Sequence, residues 1–542
     1  MTHTTDFDVL IVGAGWSGLM ALHRLRSRGF SARVLEAAPE VGGTWYWNRY
    51  PGARCDVESI HYSYSFDEEL QQEWNWTERY AAQPELLSYA RHVADRFDLR
   101  RDIQFNTKVS SAKFDDEASV WTLRTEEGES LTAKFCILAT GVLSATKIPD
   151  LRGLSRFQGT LLNTFDWPEE PVDFTGKRVA VLGTGSSGIQ AIPEIAKSAE
   201  HLYVLQRTPS FSLPAKNRPL QPKELEQVKR EYARLRAAAR DSLDGLALEN
   251  TGKSAFDVTE EERNAIFEEV YEEGAPFKFQ GMFIDQMTDL KANATAAEFV
   301  ARKIAERVKD PETAAALTPS GYPIATRRLC IDTGYYETFN RENVTLVNLL
   351  KEPITEVTEK GITTAARTYE VDYLVLATGF DAVTGSFTRI DVRGVGGQSL
   401  KEKWDAAASS YLGLAVNGFP NLFTVTGPLS PSVLSNMMVS IEQHVDWITA
   451  CLGYLEEKGI DRIEPTQEAE QEWVRHASEV ADFTLFPQSS SWYSGANVEG
   501  KPRQILPYLG GVHNYRRLTQ EIAADGYRGF TIRSREAAEL AS

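Results

Sequence analysis

The chain has 542 residues, of which 42% are hydrophobic and 25% are charged, and it carries a net charge of −18. Because single hydrophobic cores stop growing near roughly 250–300 residues, this length predicts two or three domains. The acidic balance disfavours nucleic acid as a partner, since contacts to phosphate require a basic surface. The four cysteines and eight histidines lack disulfide or metal-ligand spacing, so we expect no metal ion and a reducing compartment.

The first apolar segment, residues 7–12, begins too close to the N-terminus to leave room for a cleavable leader. No later apolar run in the sequence reaches the length of a membrane span. We therefore expect a cytoplasmic protein that binds no membrane, with a monomer as its oligomeric state.

The segment 8–12 is typical of a buried parallel strand, and an amphipathic stretch follows it after a glycine turn. In that turn Gly13 permits the tight bend, Gly15 lets the backbone approach a pyrophosphate, and Gly18 lets the helix pack on the strand. The next strand ends at Glu36, whose carboxylate suits a ribose with free hydroxyls. These residues predict a dinucleotide site, although a tight turn that binds nothing remains the plain structural alternative.

The same pattern recurs after residues 178–182, which are typical of a second buried strand. The strand that follows ends near Arg207, where the first unit has Glu36. An arginine there is the expected exchange when the ribose carries a 2'-phosphate, so the second nucleotide should be NADPH. The predicted contacts of this unit are Gly183, Gly185, Ser186, Ser187, Gly188, Arg207 and Thr208.

Two nucleotides in one chain imply electron transfer between them, and a flavin is needed if the chain does more than exchange hydrides. Two further strand ends, at residues 135–141 and 373–379, should return the chain to these sites. Between the two units, residues 222–308 have apolar residues at helical spacing and little proline, which predicts an inserted helical subdomain.

Longer motifs connect the glycine turns to a known family. Residues 43–56 fit the pattern G-x-W-x-x-x-x-Y-P-G-x-x-x-D, and residues 157–168 fit F-x-G-x-x-x-H-x-x-x-W-P except at one position. Further matches lie at residues 326–328, 377–381, 432–436 and 491–497. On these motifs the chain resembles the type I Baeyer-Villiger monooxygenases, and most closely their phenylacetone and steroid branch.

The exception in the second motif is Asn163, which stands where the family has histidine. An asparagine side chain donates and accepts hydrogen bonds but cannot become a cation. Any role of this position that requires imidazolium charge is therefore lost, and the effect on activity or coupling is open.

The resemblance implies an α/β fold with two dinucleotide-binding Rossmann-like domains, one for FAD and one for NADP, and an inserted helical subdomain. The FAD domain would consist of residues 1–143 and 380–542. The NADP domain would consist of residues 144–210 and 326–379, with the helical insertion at residues 211–325.

The resemblance also implies the reaction. NADPH would reduce FAD, and O2 would then give a C4a-peroxyflavin that converts ketones to esters or lactones, with sulfoxidation as a side reaction. Arg328 would stabilise the negative charge of the peroxide, and Asp56 would orient that arginine. Alternatively, Arg328 is an ordinary surface arginine and Asp56 is a carboxylate that caps a turn.

The remaining site residues are also carried over by resemblance. FAD contacts would include Thr44, Trp45, Tyr46, Trp47, Asp56, Tyr62, Val109 and Met437. NADPH contacts would add Arg327, Arg328 and Trp492, the last in a segment that closes over the site. The ketone pocket would be formed by Leu143, Ser432, Val433, Leu434 and Met437, which favours aryl, bulky or long-chain ketones.

Two other functions share these features. A flavin monooxygenase that oxygenates nitrogen or sulfur has the same two glycine turns, and a weakly active flavoprotein redox sensor would keep the fold but lose turnover. In the sensor, NADPH would bind without ketone-dependent consumption.

Overall fold

A computed structural model describes residues 4–534 and confirms the predicted α/β class. Its strands are β1 (Phe7–Val12), β2 (Ala32–Leu35), β3 (Ile103–Gln104), β4 (Val109–Asp115), β5 (Val120–Thr125), β6 (Ser130–Leu138), β7 (Thr160–Asn163), β8 (Arg178–Leu182), β9 (His201–Gln206), β10 (Ser212–Pro214), β11 (Cys330–Asp332), β12 (Val344–Asn348), β13 (Ile354–Thr358), β14 (Gly361–Thr364), β15 (Thr368–Glu370), β16 (Tyr373–Leu376), β17 (Asp391–Arg393), β18 (Leu422–Thr424), β19 (Arg462–Pro465) and β20 (Phe530–Arg533).

The helices surround these strands and are longest in the middle and C-terminal thirds of the chain. They are α1 (Trp16–Ser27), α2 (Thr44–Trp47), α3 (Glu68–Glu73), α4 (Gln83–Arg96), α5 (Ser186–Ile195), α6 (Pro222–Arg240), α7 (Glu260–Glu273), α8 (Pro276–Gln280), α9 (Leu290–Arg307), α10 (Pro311–Leu317), α11 (Tyr335–Thr338), α12 (Gly385–Thr388), α13 (Leu400–Trp404), α14 (Met437–Glu457), α15 (Gln467–Asp482) and α16 (Val512–Ala524). Within residues 4–534, none of them combines the length and the apolar character that crossing a membrane requires.

The larger sheet has the strand order β17-β4-β5-β6-β1-β2-β3, and β18 also pairs with β6. Strand β6 is long enough for two neighbours on one edge, because β5 pairs with Ser130–Ala133 and β18 with Cys136–Leu138. The central strand β1 is covered on both sides, and Val9, Leu10 and Ile11 are fully buried. The C-terminal part of the chain therefore completes a sheet that begins at the N-terminus.

The second sheet has the strand order β12-β9-β8-β16-β7, with every pair parallel. Its strands come from residues 160–206 and 344–376, on either side of the helical region α6–α10. A short parallel pair, β10 with β11, closes this insertion at its base. The Arg307 guanidinium of α9 binds the buried carboxylate of Asp332 in β11 at 2.8 Å, so the insertion is anchored close to residue 328.

The glycine turns follow the central strand of each sheet and are packed in the same way. A Cβ atom at Gly18 would lie 1.8 Å from the carbonyl oxygen of Gly13, and one at Gly188 would lie 2.2 Å from that of Gly183. Each turn also abuts the end of a neighbouring strand, at Ala139 and Ala377 respectively. Both turns thus lie where the strand order reverses, which is the usual ligand position in such sheets.

We expect Gly188→Ala to destabilise the second sheet by about 1–3 kcal/mol, because the new methyl group overlaps the Gly183 backbone. Alanine otherwise favours a helix over glycine, so a loss of stability isolates the steric effect. The matched control is Gly185→Ala, since a Cβ atom there meets no atom within 4 Å. Thermal unfolding of both variants tests this, and equal melting temperatures would contradict it.

Candidate active site

A cavity of about 760 Å³ opens at the carboxyl end of β1. Gly13 and Gly15 of the first glycine turn line it together with Gly43, and the turn approaches Gly43 so closely that a Cβ atom there would lie 2.8 Å from the Gly15 Cα atom. Only a glycine fits at position 43, where φ is also positive. Gly18 does not line the cavity, because its role is to let α1 pack on the turn.

Glu36 lies at the end of β2 in the wall of this cavity. Its carboxylate accepts hydrogen bonds from the backbone N–H groups of Ala14 at 2.5 Å and Ala38 at 2.7 Å. Burial raises the pKa of Glu36, and the two backbone donors only partly offset that effect. Additional hydroxyl donors would stabilise this carboxylate, and a glycine-lined cavity with such an acceptor fits a dinucleotide with free ribose hydroxyls.

The short helix α2 directs two of its four residues toward the cavity. Thr44 and Trp47 are three residues apart on one face of the helix and line the cavity, where Tyr62, Val109 and Met437 join them.

The other two residues of α2, Trp45 and Tyr46, do not line the cavity, and their contact with the cofactor stays a prediction. The Trp45 indole N–H donates to the Tyr62 hydroxyl at 3.3 Å. The Tyr46 hydroxyl donates to Glu169 at 2.9 Å, and its ring lies 4.4 Å from the Arg49 guanidinium. Trp45 and Tyr46 therefore support the residues of the cavity wall from behind.

Arg328 and Asp56 form a bidentate ion pair. The Arg328 Nε and Nη2 atoms donate to the two carboxylate oxygens of Asp56 at 2.8 and 2.7 Å. A third donor, Nη1, binds the carbonyl oxygen of Val433. The side chains are only 17% and 23% exposed, so little water screens the pair. Burial opposes the charge, but Asp56 outweighs it and the pKa of Arg328 is raised above its usual value.

This ion pair lies between the two glycine turns. On one side, the charges of Asp56 and Arg328 act on Tyr62, a buried phenol in the cavity wall whose pKa is raised mainly by burial. On the other side, Cys330 follows Arg328 in β11 and its Sγ atom lies 3.3 Å from the Ser186 hydroxyl at the start of α5. The geometry brings Arg328 and Asp56 together as predicted from the motifs.

Sequence reasoning missed two aromatic residues of the site. Phe277 of α8 lies under the Arg328 guanidinium, 4.7 Å away, but nothing distinguishes it within the helical insertion. Phe165 lines the cavity and stacks on Trp47 at 5.6 Å. Because Phe165 lies inside the motif of residues 157–168, the sequence could have indicated it as a site residue.

The second glycine turn is followed by Ser186 and Ser187, which open α5. Gly185 leaves open space above the turn. At the end of β9, the backbone carbonyl of Thr208 accepts a hydrogen bond from Thr184 at 3.2 Å, which holds the segment with Arg207 beside the turn.

Two cations converge beside this turn. Arg327 lies over the Tyr322 ring at 4.3 Å, and its pKa is lowered by burial and by the charge of Arg207. Within residues 4–534, neither arginine pairs with a carboxylate, and Arg327 donates only to the hydroxyl of Ser489, at 3.4 Å. Two unpaired guanidinium groups that repel each other fit the 2'-phosphate of an NADPH molecule.

The predicted ketone-pocket residues gather in one apolar cluster. Val433 is buried there, and Leu143, Leu434, Met437 and Trp492 are partly buried against the same cluster. Since Met437 also lines the cavity, the cluster adjoins it. The hydroxyl of Ser432 is buried beside Val433 and has no hydrogen-bond partner within the described residues.

Asn163 is the last residue of β7, and its side-chain oxygen accepts a hydrogen bond from the backbone N–H of Phe165 at 2.9 Å. This contact turns the chain toward Phe165, which lines the cavity. A neutral amide suffices for that turn, so the local geometry requires no imidazolium.

Comparison with known proteins gives matches over the whole chain. The family model described as flavin-binding monooxygenase-like matches residues 7–244. The phenazine N-monooxygenase of Lysobacter antibioticus is 43% identical, covering 98% of this chain and 98% of the relative. The methyl acetate-forming acetone monooxygenase of Gordonia sp. (strain TY-5) is 42% identical, covering 98% and 99%.

Among solved structures, an oxidized steroid monooxygenase bound to NADP is 50% identical and superposes with a TM-score of 0.93, covering 97% of this chain and 99% of that one. Fold, glycine turns and ion pair thus occur in a chain that aligns with its relatives almost end to end. The chain belongs to the type I Baeyer-Villiger family of flavin-binding monooxygenases.

Proposed function

We propose that the protein uses FAD, NADPH and O2 to convert ketones to esters or lactones. The observation that carries this proposal is the bidentate Arg328–Asp56 pair between the two glycine turns. The names of its relatives support the same reaction, since one of them forms methyl acetate from acetone.

The protein's contribution is positional and electrostatic. A bound flavin supplies the redox chemistry, accepting hydride from NADPH and passing one oxygen atom of O2 to the substrate. Arg328 does not itself line the cavity but places a permanent positive charge near Tyr62 of its wall, from where it would stabilise negative charge that develops on oxygen as the new carbon–oxygen bond forms. Asp56 fixes the plane of that guanidinium, and Val433 holds its third donor.

The two nucleotides are distinguished by charge. Glu36 can accept hydrogen bonds from ribose hydroxyls and would repel a 2'-phosphate, so the first turn should hold FAD. Arg207 and Arg327 attract a 2'-phosphate, so the second turn should hold NADPH. Trp492 packs against the same apolar cluster as Met437, and we propose that it closes the site over the nicotinamide end.

The substrate class follows from the apolar cluster around Val433. This cluster presents leucine, valine and methionine side chains, and the hydroxyl groups of Ser432 and Tyr493 are buried there. Such a pocket favours aryl, bulky or long-chain ketones over small polar ones. Sulfoxidation of soft thioethers is the expected side reaction.

N-oxygenation is a second candidate function. It is favoured by the 43% identity to a phenazine N-monooxygenase over nearly the whole chain. Family membership by itself therefore does not separate a ketone from an aromatic amine as the substrate.

We further propose that residues 1–143 and 380–542 form the FAD domain, although residues 1–3 and 535–542 lie outside the described residues. Residues 144–210 and 326–379 would form the NADP domain, and residues 211–325 the insertion. The strand pairing of both sheets supports this division. A cytoplasmic location is supported by four free, buried cysteines. The monomer stays a prediction.

The proposed reaction is tested by NADPH consumption of FAD-loaded protein with phenylacetone, cyclohexanone, a long-chain ketone and phenazine. Ester, N-oxide and hydrogen peroxide are measured in the same samples. We expect ester in amounts that match the NADPH consumed. N-oxide without ester would favour the second candidate, and peroxide alone across the panel would contradict both.

Arg328→Ala should leave flavin reduction by NADPH largely intact and lower ester formation by about 10²–10³-fold, because the charge that stabilises developing negative charge is lost. Rapid-mixing absorbance measures flavin reduction, and product analysis measures the ester. Arg328→Lys keeps the charge without the bidentate contact, so its rate of ester formation should lie between those of the unchanged protein and Arg328→Ala. Normal ester formation by the alanine variant would remove Arg328 from the mechanism.

Arg207→Ala should raise the KM for NADPH by about 10–100-fold and leave the KM for NADH unchanged, since a charge-assisted contact to the 2'-phosphate is lost. Arg178→Ala is the matched control, because Arg178 lies at the opposite end of β8 from the glycine turn and pairs with Glu370. An unchanged ratio of the two KM values would refute the phosphate assignment.

A further inference from the structure

A second cavity, of about 560 Å³, lies against another face of helix α14. Met437 and Ile441 of this helix line the cofactor cavity, whereas Val439 and Gln443 line the second one. Its volume is in the range of roughly 300–1,000 Å³ that small-molecule sites occupy. No residue that we assign to the proposed reaction lines this cavity.

Three arginines from three helices line the second cavity: Arg24 of α1, Arg240 of α6 and Arg516 of α16. The two carboxylates in its wall are already engaged. Arg24 binds Asp446 at 2.8 Å. The carboxylate of Glu442 accepts hydrogen bonds from the backbone and the hydroxyl of Ser65, and burial raises its pKa, which favours the neutral acid.

Arg240 and Arg516 are only weakly matched by carboxylates. Within residues 4–534, the Arg240 guanidinium makes no direct hydrogen bond or ion pair, although its charge acts on Asp446, whose pKa is raised by burial. The nearest carboxylate to Arg516 is that of Asp241, at 3.7 Å and with its side chain 79% exposed. Two like charges in one cavity repel each other, and a bound anion would relieve that repulsion. The three arginines share one cavity although the chain as a whole carries a net charge of −18.

The rest of the lining contains polar side chains, such as Gln443 and Gln520, beside apolar ones. Phe66, Trp447 and Val512 contribute ring and methyl surface to the cavity. The indole N–H of Trp447 is already bound to the carbonyl oxygen of Thr519 at 3.0 Å, so Trp447 presents its apolar faces. The cavity therefore combines cationic and apolar side chains in one lining.

We propose that this second cavity is a binding site for a small organic acid. Its carboxylate would lie between Arg240 and Arg516, whose planar guanidinium groups match a carboxylate in a bidentate geometry. The hydrocarbon part would pack against Phe66, Trp447 and Val512. This site is separate from the nucleotide and ketone sites and does not depend on the proposed reaction.

The probe is phenylacetate, and its neutral isostere phenylacetamide is the matched ligand control. Full-length FAD-loaded protein is titrated calorimetrically in saturating NADP+, so that the Arg207 and Arg327 charges are already occupied. We expect phenylacetate to bind about tenfold or more tightly than phenylacetamide, because only the carboxylate makes charge-assisted hydrogen bonds. Equal affinity of the two ligands would overturn the proposal.

Arg240→Gln and Arg516→Gln should each weaken phenylacetate binding by about tenfold. Arg517→Gln is the matched control on the same helix, since Arg517 is exposed and pairs with Glu521 at 2.9 Å. Unchanged phenylacetate affinity in the double variant would place the ligand elsewhere and overturn the assignment. Inorganic phosphate is titrated in parallel, and binding of phosphate without phenylacetate at these arginines would exclude the organic acid.

Discussion

The ion pair of Arg328 and Asp56 is the interaction on which the site depends. It joins residues 272 positions apart, and so it ties the segment before β11 to the segment between α2 and Tyr62. A buried charge of this kind is stable only with a partner, and removing one partner of such a pair typically costs about 3–5 kcal/mol. Its position next to β11 therefore requires the anchoring of that strand by Arg307 and by the pairing with β10.

The same unit of strand, glycine turn and helix occurs twice, once in each sheet. In each sheet a strand ends in a glycine turn so tight that the first and third glycines exclude any side chain. The difference between the two sites lies in the residue at the end of the next strand. A buried carboxylate at Glu36 and guanidinium groups at Arg207 and Arg327 without carboxylate partners give the two sites opposite electrostatic character, which supports the proposed places of FAD and NADPH.

Helix α14 links the site to the rest of the molecule. Its first turn reaches the cofactor cavity through Met437, and its next turns carry the carboxylates of the second cavity. The cap of this helix is Asn436, whose side chain accepts the backbone N–H of Met438 and donates to the backbone of His61. The same asparagine thus positions both the helix and the segment that leads to Tyr62.

The sequence by itself determined the two strand–turn–helix units and the nature of their acceptor residues, because these features depend on a few neighbouring residues. It also indicated Arg328 and Asp56 through their motifs. Only the tertiary structure decided that Trp45 and Tyr46 lie behind the cavity wall, since the register of a four-residue helix sets which side chains face inward. Phe277 under Arg328, and Arg240 with Arg516 around the second cavity, come from helices distant in sequence. Their proximity follows from packing between helices, which no local pattern encodes.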